Sequence, residues 1–169
     1  RYGSSAASDV YKRQTFMKIK SLGYITVEST NISQWEAYAR DVVGLMKNEE
    51  LSDENNLFLR MDESPFSFHI FNGSENRYSK GGFEVHGKED FEEAKKQLSN
   101  LGISFNKEND DLARVRCVKE LISFNDPAGN SLELFYERDS YDNQFKSAQD
   151  ISGFVTHGLG LGQLECGTV

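Results

Sequence analysis

The feature that most constrains the fold is an internal repeat between residues 19 and 137, where one order of elements is predicted twice. The first copy opens with an apolar strand at 22–27, and Asn31 followed by glutamine three residues later is typical of a helix start. Strands at 57–61 and 66–71 complete this copy. The predicted helix has an apolar face of residues that recur at helical spacing: Ile32, Trp35, Ala39, Val42 and Met46.

The second copy repeats the order. A strand is predicted at 82–85, and Glu89 and Asp90 then give a helix an acidic first turn, which suits the positive end of the helix dipole. Gly102 is typical of the residue that follows a helix. The apolar face of this helix consists of Phe91, Ala94, Leu98 and Leu101. Further strands are predicted at 103–105, 121–124 and 132–137, the last two joined by an Asp-Pro-Ala-Gly-Asn turn.

Both copies therefore predict a βαβββ unit. Two such units side by side would form one curved mixed sheet with the helices packed outside it, an α+β fold. The content of 37% hydrophobic and 12% aromatic residues is sufficient for a real core. Aromatic residues at alternating strand positions could line a pocket for a flat ligand, but they are more often part of the core.

Composition excludes several classes of function. The chain of 169 residues has a net charge of -8, and its basic residues are interspersed with acids, so a nucleic-acid surface is not expected. Cys117 and Cys166 lie far apart without a CxxC spacing, which predicts neither a disulfide framework nor a zinc site. No apolar run approaches the ~20 residues of a membrane span. We expect a cytoplasmic protein without a membrane partner.

The two ends differ from the repeat. Residues 1–14 share no pattern with the remainder of the chain, and their second half resembles the translation of a transposon sequencing adapter; the alternative is a natural disordered tail. The native start is then expected near Met17. Residues 138–151 are polar and without periodicity, as in an interdomain linker. A new strand-like run comes after them, and we expect that a further domain is truncated there.

Four stretches, taken in order, resemble a known family. They are Ile-Lys-Ser-Leu-Gly-Tyr at 19–24, Asp-Leu-Ala-Arg-Val-Arg at 111–116, the hairpin at 121–136 with its Leu-Glu-Leu strand, and Ser-Gly-Phe-Val-Thr at 152–156 leading to Gly-Leu-Gly at 160–162. Their order and spacing resemble the vicinal oxygen chelate superfamily, and within it the two-domain extradiol dioxygenases of the dihydroxybiphenyl type. The second stretch resembles the linker that precedes the last hairpin in that family.

The resemblance implies a division of labour between two domains. Residues 17–137 would be the non-catalytic N-terminal domain, 138–151 the linker, and 152–169 the start of a truncated catalytic domain. The full-length protein would be a homo-oligomer that opens a catechol ring with O2 at an Fe(II) ion held by two histidines and one carboxylate. The fragment itself would be inactive and would act as a scaffold, with no catalytic or cofactor-binding residue of its own.

Gln163 occupies the position at which the family places its first iron-ligand histidine. Glutamine is a poor iron ligand, so we do not predict that Gln163 binds metal as written. Three explanations stay open: an error in the sequence, since His and Gln codons differ by one base; a metal-free homologue; or a ligand elsewhere in the chain.

The repeat also indicates where the first domain would hold a metal. Tyr24 falls at the first ligand position, Phe83 roughly at the second and Glu133 at the carboxylate position. Phenylalanine cannot bind metal, and we interpret Glu133 as a charged residue of an alternating strand. His69 is expected as a half-buried polar residue on the strand face opposite Phe66, Phe68 and Ile70. His86 is expected at an exposed turn, and His157 in a solvated loop.

Two alternatives from the same superfamily remain. A metal-free module that binds a small molecule would end shortly after residue 137, so the stretch at 152–164 disfavours it. A metal-dependent isomerase or lyase of the glyoxalase type would need ligands that Tyr24 and Phe83 do not supply.

Overall fold

The structure, a computed structural model, describes residues 17–151, 153–156 and 160–161. Each copy of the repeat begins with one long strand and then a helix. The first copy contains β1 (Ile19–Ser29), α1 (Ile32–Tyr38) with a π-helical continuation at Ala39–Val43, β2 (Met46–Lys47), β3 (Asn56–Arg60) and β4 (Phe68–Asn72). The second contains β5 (Arg77–Val85), α2 (Lys88–Asn100), β6 (Phe105–Lys107), α3 (Asp110–Arg116), β7 (Val118–Asn125) and β8 (Ser131–Arg138).

All eight strands form one mixed sheet in the order β2-β3-β4-β1-β5-β8-β7-β6. Within each copy the first strand pairs in parallel with the last, β1 with β4 and β5 with β8. The two copies meet where β1 and β5 pair antiparallel. This arrangement confirms the predicted α+β fold, with two βαβββ units in one mixed sheet.

Helices α1 and α2 cover the same face of the sheet, which we call the outer face. Leu57, Leu59 and Ile70 are buried there against the first helical segment. Under α2, residues of the helix pack on β5, β7 and β8; the cluster consists of Val85, Phe91, Ala94, Leu98, Ile122, Leu134 and Tyr136. Burying a large apolar side chain contributes about 1.5–3 kcal/mol. The outer face therefore contains two apolar clusters, one under each helix.

The predicted helix starts are confirmed. The Asn31 side chain accepts a hydrogen bond from the Gln34 backbone N–H at 3.0 Å, and Glu89 and Asp90 lie in the first turn of α2. Gly102 follows α2 with φ +72, a conformation that favours glycine. At the turn between β7 and β8, the Asp126 carboxylate accepts hydrogen bonds from the backbone N–H groups of residues 128 and 130.

Three predictions about the helices are wrong. Leu101 is 74% exposed where α2 ends, so it does not belong to the apolar face of that helix. Val42 is 65% exposed and Met46 lies in β2, so neither belongs to an apolar face of α1. The cause is the π-helical turn, which adds a residue per turn, and Gly44 then ends the helix with φ +86. The stretch at 111–116 is not a linker segment but lies within α3, which Asn109 caps through the Leu112 N–H.

The predicted linker at 138–151 contains no regular element beyond the last residue of β8, yet it packs along the first copy of the repeat. Asn143 accepts a hydrogen bond from Arg60 Nη2 at 2.7 Å through its backbone oxygen, and the Ser147 hydroxyl donates to the Gly44 carbonyl at 2.8 Å. The domain boundaries themselves stay predictions. None of the described helices has the length and apolar character that a bilayer span requires.

A last contact joins β1 to the segment beyond the predicted linker. The Leu161 N–H donates to the Leu22 carbonyl at 2.9 Å, and Gly160 forms an isolated parallel bridge with Leu22. Gly160 has φ +73, and a Cβ there would overlap the Leu22 carbonyl oxygen. This approach therefore requires glycine. Residues 1–14, His157, Gln163 and Cys166 lie outside the described part of the chain.

Candidate functional site

The second face of the sheet, which we call the inner face, buries charged groups. Tyr24 on β1, His69 on β4, Lys80 on β5 and Glu133 on β8 point to this face, and Arg116 at the end of α3 reaches it from above. Tyr24 and Glu133 have no exposed surface, and His69 and Arg116 are each 6% exposed. These five side chains form what we call the inner-face network.

Glu133 is the centre of the inner-face network. Its Oε2 atom accepts hydrogen bonds from Tyr24 Oη at 2.6 Å and from Arg116 Nε at 2.8 Å. Its Oε1 atom accepts from Arg116 Nη2 at 3.2 Å and lies 3.3 Å from Lys80 Nζ. Arg116 thus holds the carboxylate with a two-point fork, the strongest geometry of such a pair. Both carboxylate oxygens are occupied.

His69 extends the network toward the sheet edge. Its Nδ1 atom lies 3.0 Å from Arg116 Nη1 and its Nε2 atom 2.9 Å from Asn56 Oδ1. A guanidinium can only donate, so Nδ1 accepts and the ring proton sits on Nε2, from which it is donated to Asn56. The imidazole also stacks on Phe58, with ring centroids 4.2 Å apart and planes at 2°. His69 is therefore neutral and held on both edges.

The protonation states follow from burial and from these partners. Burial and the positive charge of Arg116 lower the pKa of His69 to about 3. Burial alone would raise the pKa of Glu133, but Arg116, Tyr24 and Lys80 outweigh it and hold that pKa below its usual range. Burial and the adjacent Glu133 charge raise the pKa of Tyr24 well above its ordinary value. At neutral pH the network is an ionised carboxylate, two cations, a neutral imidazole and a neutral phenol.

Aromatic rings frame the network. The Tyr24 ring stacks on Phe135 with centroids 5.2 Å apart and contacts Phe66 at the same centroid distance. Gly82 lies opposite Tyr24 in the neighbouring strand, and a Cβ at that position would overlap the phenol ring. Glycine at position 82 therefore makes room for Tyr24 to reach Glu133.

This chain is similar to known proteins in sequence and in structure. The family model described as "Dihydroxybiphenyl dioxygenase BphC D1" matches residues 22–73. An iron-dependent extradiol dioxygenase of Rhodococcus jostii is 38% identical over 120 residues, which cover 71% of this chain and 40% of that protein. A 3-methylcatechol 2,3-dioxygenase of Pseudomonas putida is 31% identical over 147 residues, which cover 86% of this chain and 50% of that protein.

Solved structures agree. A crystal structure of catechol 2,3-dioxygenase superposes with a TM-score of 0.81 at 29% identity, over 87% of this chain and 49% of that one. The chain belongs to the type I extradiol dioxygenase family, as its N-terminal domain. The family is part of the vicinal oxygen chelate superfamily, as the resemblance predicted. The chain spans only 40–50% of the length of the curated relatives named above.

The structure brings together two of the three positions that the repeat assigns to a metal in this extradiol dioxygenase domain. Tyr24 and Glu133 are hydrogen-bonded, but Phe83 packs on the outer face among the residues under α2, so its assignment is wrong. The alternation of β5 explains the error, because Gly82 and not Phe83 faces Tyr24. Glu133 is also more than a charged residue of an alternating strand, since it is fully buried at the centre of a network.

Two of the predicted histidine positions can be assessed. His86 directly follows β5 and is exposed, as predicted. His69 does lie opposite Phe68 and Ile70, which belong to the outer face, as predicted. It is buried rather than half-buried, and its ring contacts Phe66 edge-on at 6.4 Å between centroids, so the prediction that it also lies opposite Phe66 is wrong. The reason is that β4 begins only at Phe68, so Phe66 is outside the strand alternation.

The donor set of the inner face does not fit an iron ion. Glu133 is the one carboxylate of the inner-face network, and four donors already occupy its two oxygens. A metal would also have to lie beside the positive charge of Arg116. Across the described residues, no group of three or more His, Cys, Asp or Glu side chains is placed to hold a metal. Gln163 stays a prediction, since it lies outside them.

Sequence reasoning missed Arg116, Lys80 and Asn56. Arg116 stands in the stretch 111–116 that carried part of the family resemblance, but nothing in that stretch indicates a buried arginine. Its partner Glu133 is 17 residues away and its other partner His69 is 47 residues away. A sequence pattern could have identified the pair only after α3 had been assigned to the inner face.

Proposed function

We propose that this chain is the non-catalytic first half of an enzyme that cleaves a catechol-type ring next to its hydroxyl groups with O2. The observation that carries the proposal is the occupied inner face in a domain whose relatives are extradiol dioxygenases. Because the carboxylate of this face is committed to Arg116, the ring-cleaving chemistry would belong to the continuation of the chain. Fe(II), the catechol and O2 would bind there.

The role that we propose for the domain is support. Strand β1 carries Tyr24 at the inner face and, two residues earlier, accepts the backbone hydrogen bond from Leu161. Residue 163, where the family places its first iron ligand, comes shortly after that bond. The N-terminal domain would therefore fix the backbone from which the catalytic domain begins. We also propose a homo-oligomer, and a cytoplasmic location on the cysteine pattern.

The test is to recover the parent DNA beyond codon 169, confirm codon 163 and express the continuous protein. After incubation with Fe(II) and ascorbate without oxygen, 3-methylcatechol and 2,3-dihydroxybiphenyl are added in air, and the yellow ring-fission product and O2 uptake are followed. We expect equal consumption of O2 and catechol. The 169-residue chain, treated in the same way, is the control and should give no product.

The proposal fails if a stop codon follows directly, or if Gln163 is confirmed and the continuation supplies no ligand set. It also fails if the 169-residue chain alone cleaves a catechol.

One observation favours the second candidate, a module that binds a small molecule without a metal. A groove of about 710 Å³ lies on the outer face between α1 and the middle strands, and its lining includes Trp35, Tyr38, Phe68 and Tyr78. Its size falls in the range of ligand sites, and the aromatic lining suits a flat ring. Trp35 is the only tryptophan, so its fluorescence reports on the groove. Saturable quenching by a catechol at micromolar concentration would support this candidate, and a linear response would exclude it.

A further inference from the structure

The guanidinium of Arg116 is surrounded in the way a bound cation would be. Two carboxylate oxygens of Glu133 face its Nε and Nη2 atoms at 2.8 and 3.2 Å, and the His69 Nδ1 lone pair faces its Nη1 atom at 3.0 Å. The Tyr24 ring lies 5.5 Å from its central carbon, within reach of a cation–π interaction. These groups come from β1, β4 and β8, whereas the cation comes from α3.

The surroundings are fixed independently of the arginine. Tyr24 is held between Phe66 and Phe135, and His69 is stacked on Phe58 and bonded to Asn56. The sheet therefore presents a carboxylate, an imidazole nitrogen and an aromatic face in a preformed arrangement. Such an arrangement selects a planar cation with several donors, because each donor of the fork meets an acceptor.

We propose that the inner face is a site for a small planar cation, that the side chain of Arg116 is its resident occupant, and that an external guanidinium-type cation binds when this side chain is removed. The site is preformed by the sheet, and α3 supplies the ligand in the way that a tethered inhibitor occupies a pocket. Lys80 Nζ lies 3.3 Å from Oε1 of Glu133, but its side chain is 27% exposed, so solvent screens part of its charge.

The test is chemical rescue of Arg116→Ala in the 169-residue chain. The melting temperature is measured by circular dichroism at increasing millimolar ethylguanidinium and constant ionic strength. We expect the variant to melt well below the unsubstituted protein, and its melting temperature to rise along the saturation curve of a ligand that binds only the folded state. Ethylammonium, which has the charge without the planar fork, should produce a smaller rise.

Two controls separate specific binding from a solvent effect. Arg114 lies on the same helix, but its side chain is 77% exposed. The melting temperature of Arg114→Ala should therefore not rise with ethylguanidinium. Arg116→Ala combined with Glu133→Gln should lose the rescue, because the neutral amide no longer attracts the cation. If Arg116→Ala does not fold alone, the recovery of folded protein after dilution from urea, with and without ethylguanidinium, provides the same comparison.

The proposal is overturned if Arg116→Ala is as stable as the unsubstituted protein. It is equally overturned if ethylguanidinium shifts all the variants alike or fails to restore folded Arg116→Ala at any concentration. Rescue that persists in the double variant would place the cation elsewhere.

Discussion

The outer and inner faces of the sheet are both buried, but against different partners. Val85, Ile122 and Leu134 of the outer face meet apolar side chains of α2, where shape and volume decide the packing. On the inner face, Glu133 and Arg116 are equally inaccessible but meet charges and hydrogen-bonding groups. Apolar packing tolerates similar side chains, whereas a buried ion depends on one particular partner. Burial on the two faces of one sheet can therefore rest on two kinds of specificity.

The largest expected effect comes from breaking the central ion pair. Glu133→Leu leaves Arg116 without its carboxylate, and we expect a loss of roughly 3–5 kcal/mol in the free energy of unfolding, the usual cost of an uncompensated buried charge. Replacing both partners, as Arg116→Met with Glu133→Leu, should be less damaging than Glu133→Leu alone. Urea unfolding at pH 7 measures both.

Leu98→Ala is the outer-face comparison for this cycle. It removes buried apolar volume under α2, and about 2–5 kcal/mol is expected from the cavity. If the double substitution on the inner face loses as much stability as its two single substitutions summed, the two residues do not act as a pair, and the contrast between the faces collapses.

The next largest effect is expected from the packing around the Tyr24 ring on the inner face. Gly82→Ala places a methyl group where the Tyr24 ring lies, and this ring cannot shift without losing its bond to Glu133. We expect a loss of about 3 kcal/mol, the upper end for overpacking in a core. Thermal or urea unfolding of the purified variant measures it.

Gly87→Ala is the matched control, because no atom lies within 4 Å of the added group and the backbone there is extended. It should lose less than about 1 kcal/mol, the cost of alanine at a helix N-cap. Equal losses for both variants would mean that Tyr24 is free to move.

The two faces also differ in what the sequence could predict. The outer face follows from local spacing: Phe91, Ala94 and Leu98 recur along one helix and are buried as predicted, whereas Leu101, predicted on the same face, is exposed at the end of the helix. The fold follows because the same spacing occurs twice. The inner face does not follow from local spacing. Tyr24 and Glu133 are 109 residues apart, and their contact requires the whole sheet to be assembled.

The sequence predictions that are wrong have the same origin, because each depends on structure that local spacing does not reveal. The spacing predicts Met46 in α1, because a helical period cannot reveal a π-helical turn. The repeat predicts Phe83 at a ligand position, because it does not fix the register to one residue, and a one-residue shift changes the face of a strand. The repeat relates Tyr24 to Glu133, and the structure shows these two side chains in contact, but the repeat could not supply Arg116. This residue depends on where the seven residues of α3 pack, which no local pattern specifies.

The smallest expected effect is a pH dependence that belongs to the inner face alone. The pKa of His69 is lowered from 6.5 to about 3, by burial and by the adjacent Arg116. Because the unfolded chain takes up a proton at His69 below pH 6.5 and the folded chain does not, stability is lost as the pH falls through that window. Between pH 6.5 and 4.5 the loss should be about 2 kcal/mol, at up to 1.36 kcal/mol per pH unit.

Urea unfolding of the unsubstituted protein, His69→Gln and His86→Gln between pH 6.5 and 4.5 measures the direction and size of this pH dependence. The carboxylates with lowered pKa values, Glu133 among them, also begin to lose their contribution near pH 4.5, so the difference in slope between the unsubstituted protein and His69→Gln isolates the imidazole. His69→Gln should show a flatter pH dependence, whereas His86→Gln, at an exposed position, should keep the slope. If all three proteins share one slope, His69 is protonated in the folded state. Its Nδ1 atom could then not accept from Arg116, and His69 would not belong to the inner-face network.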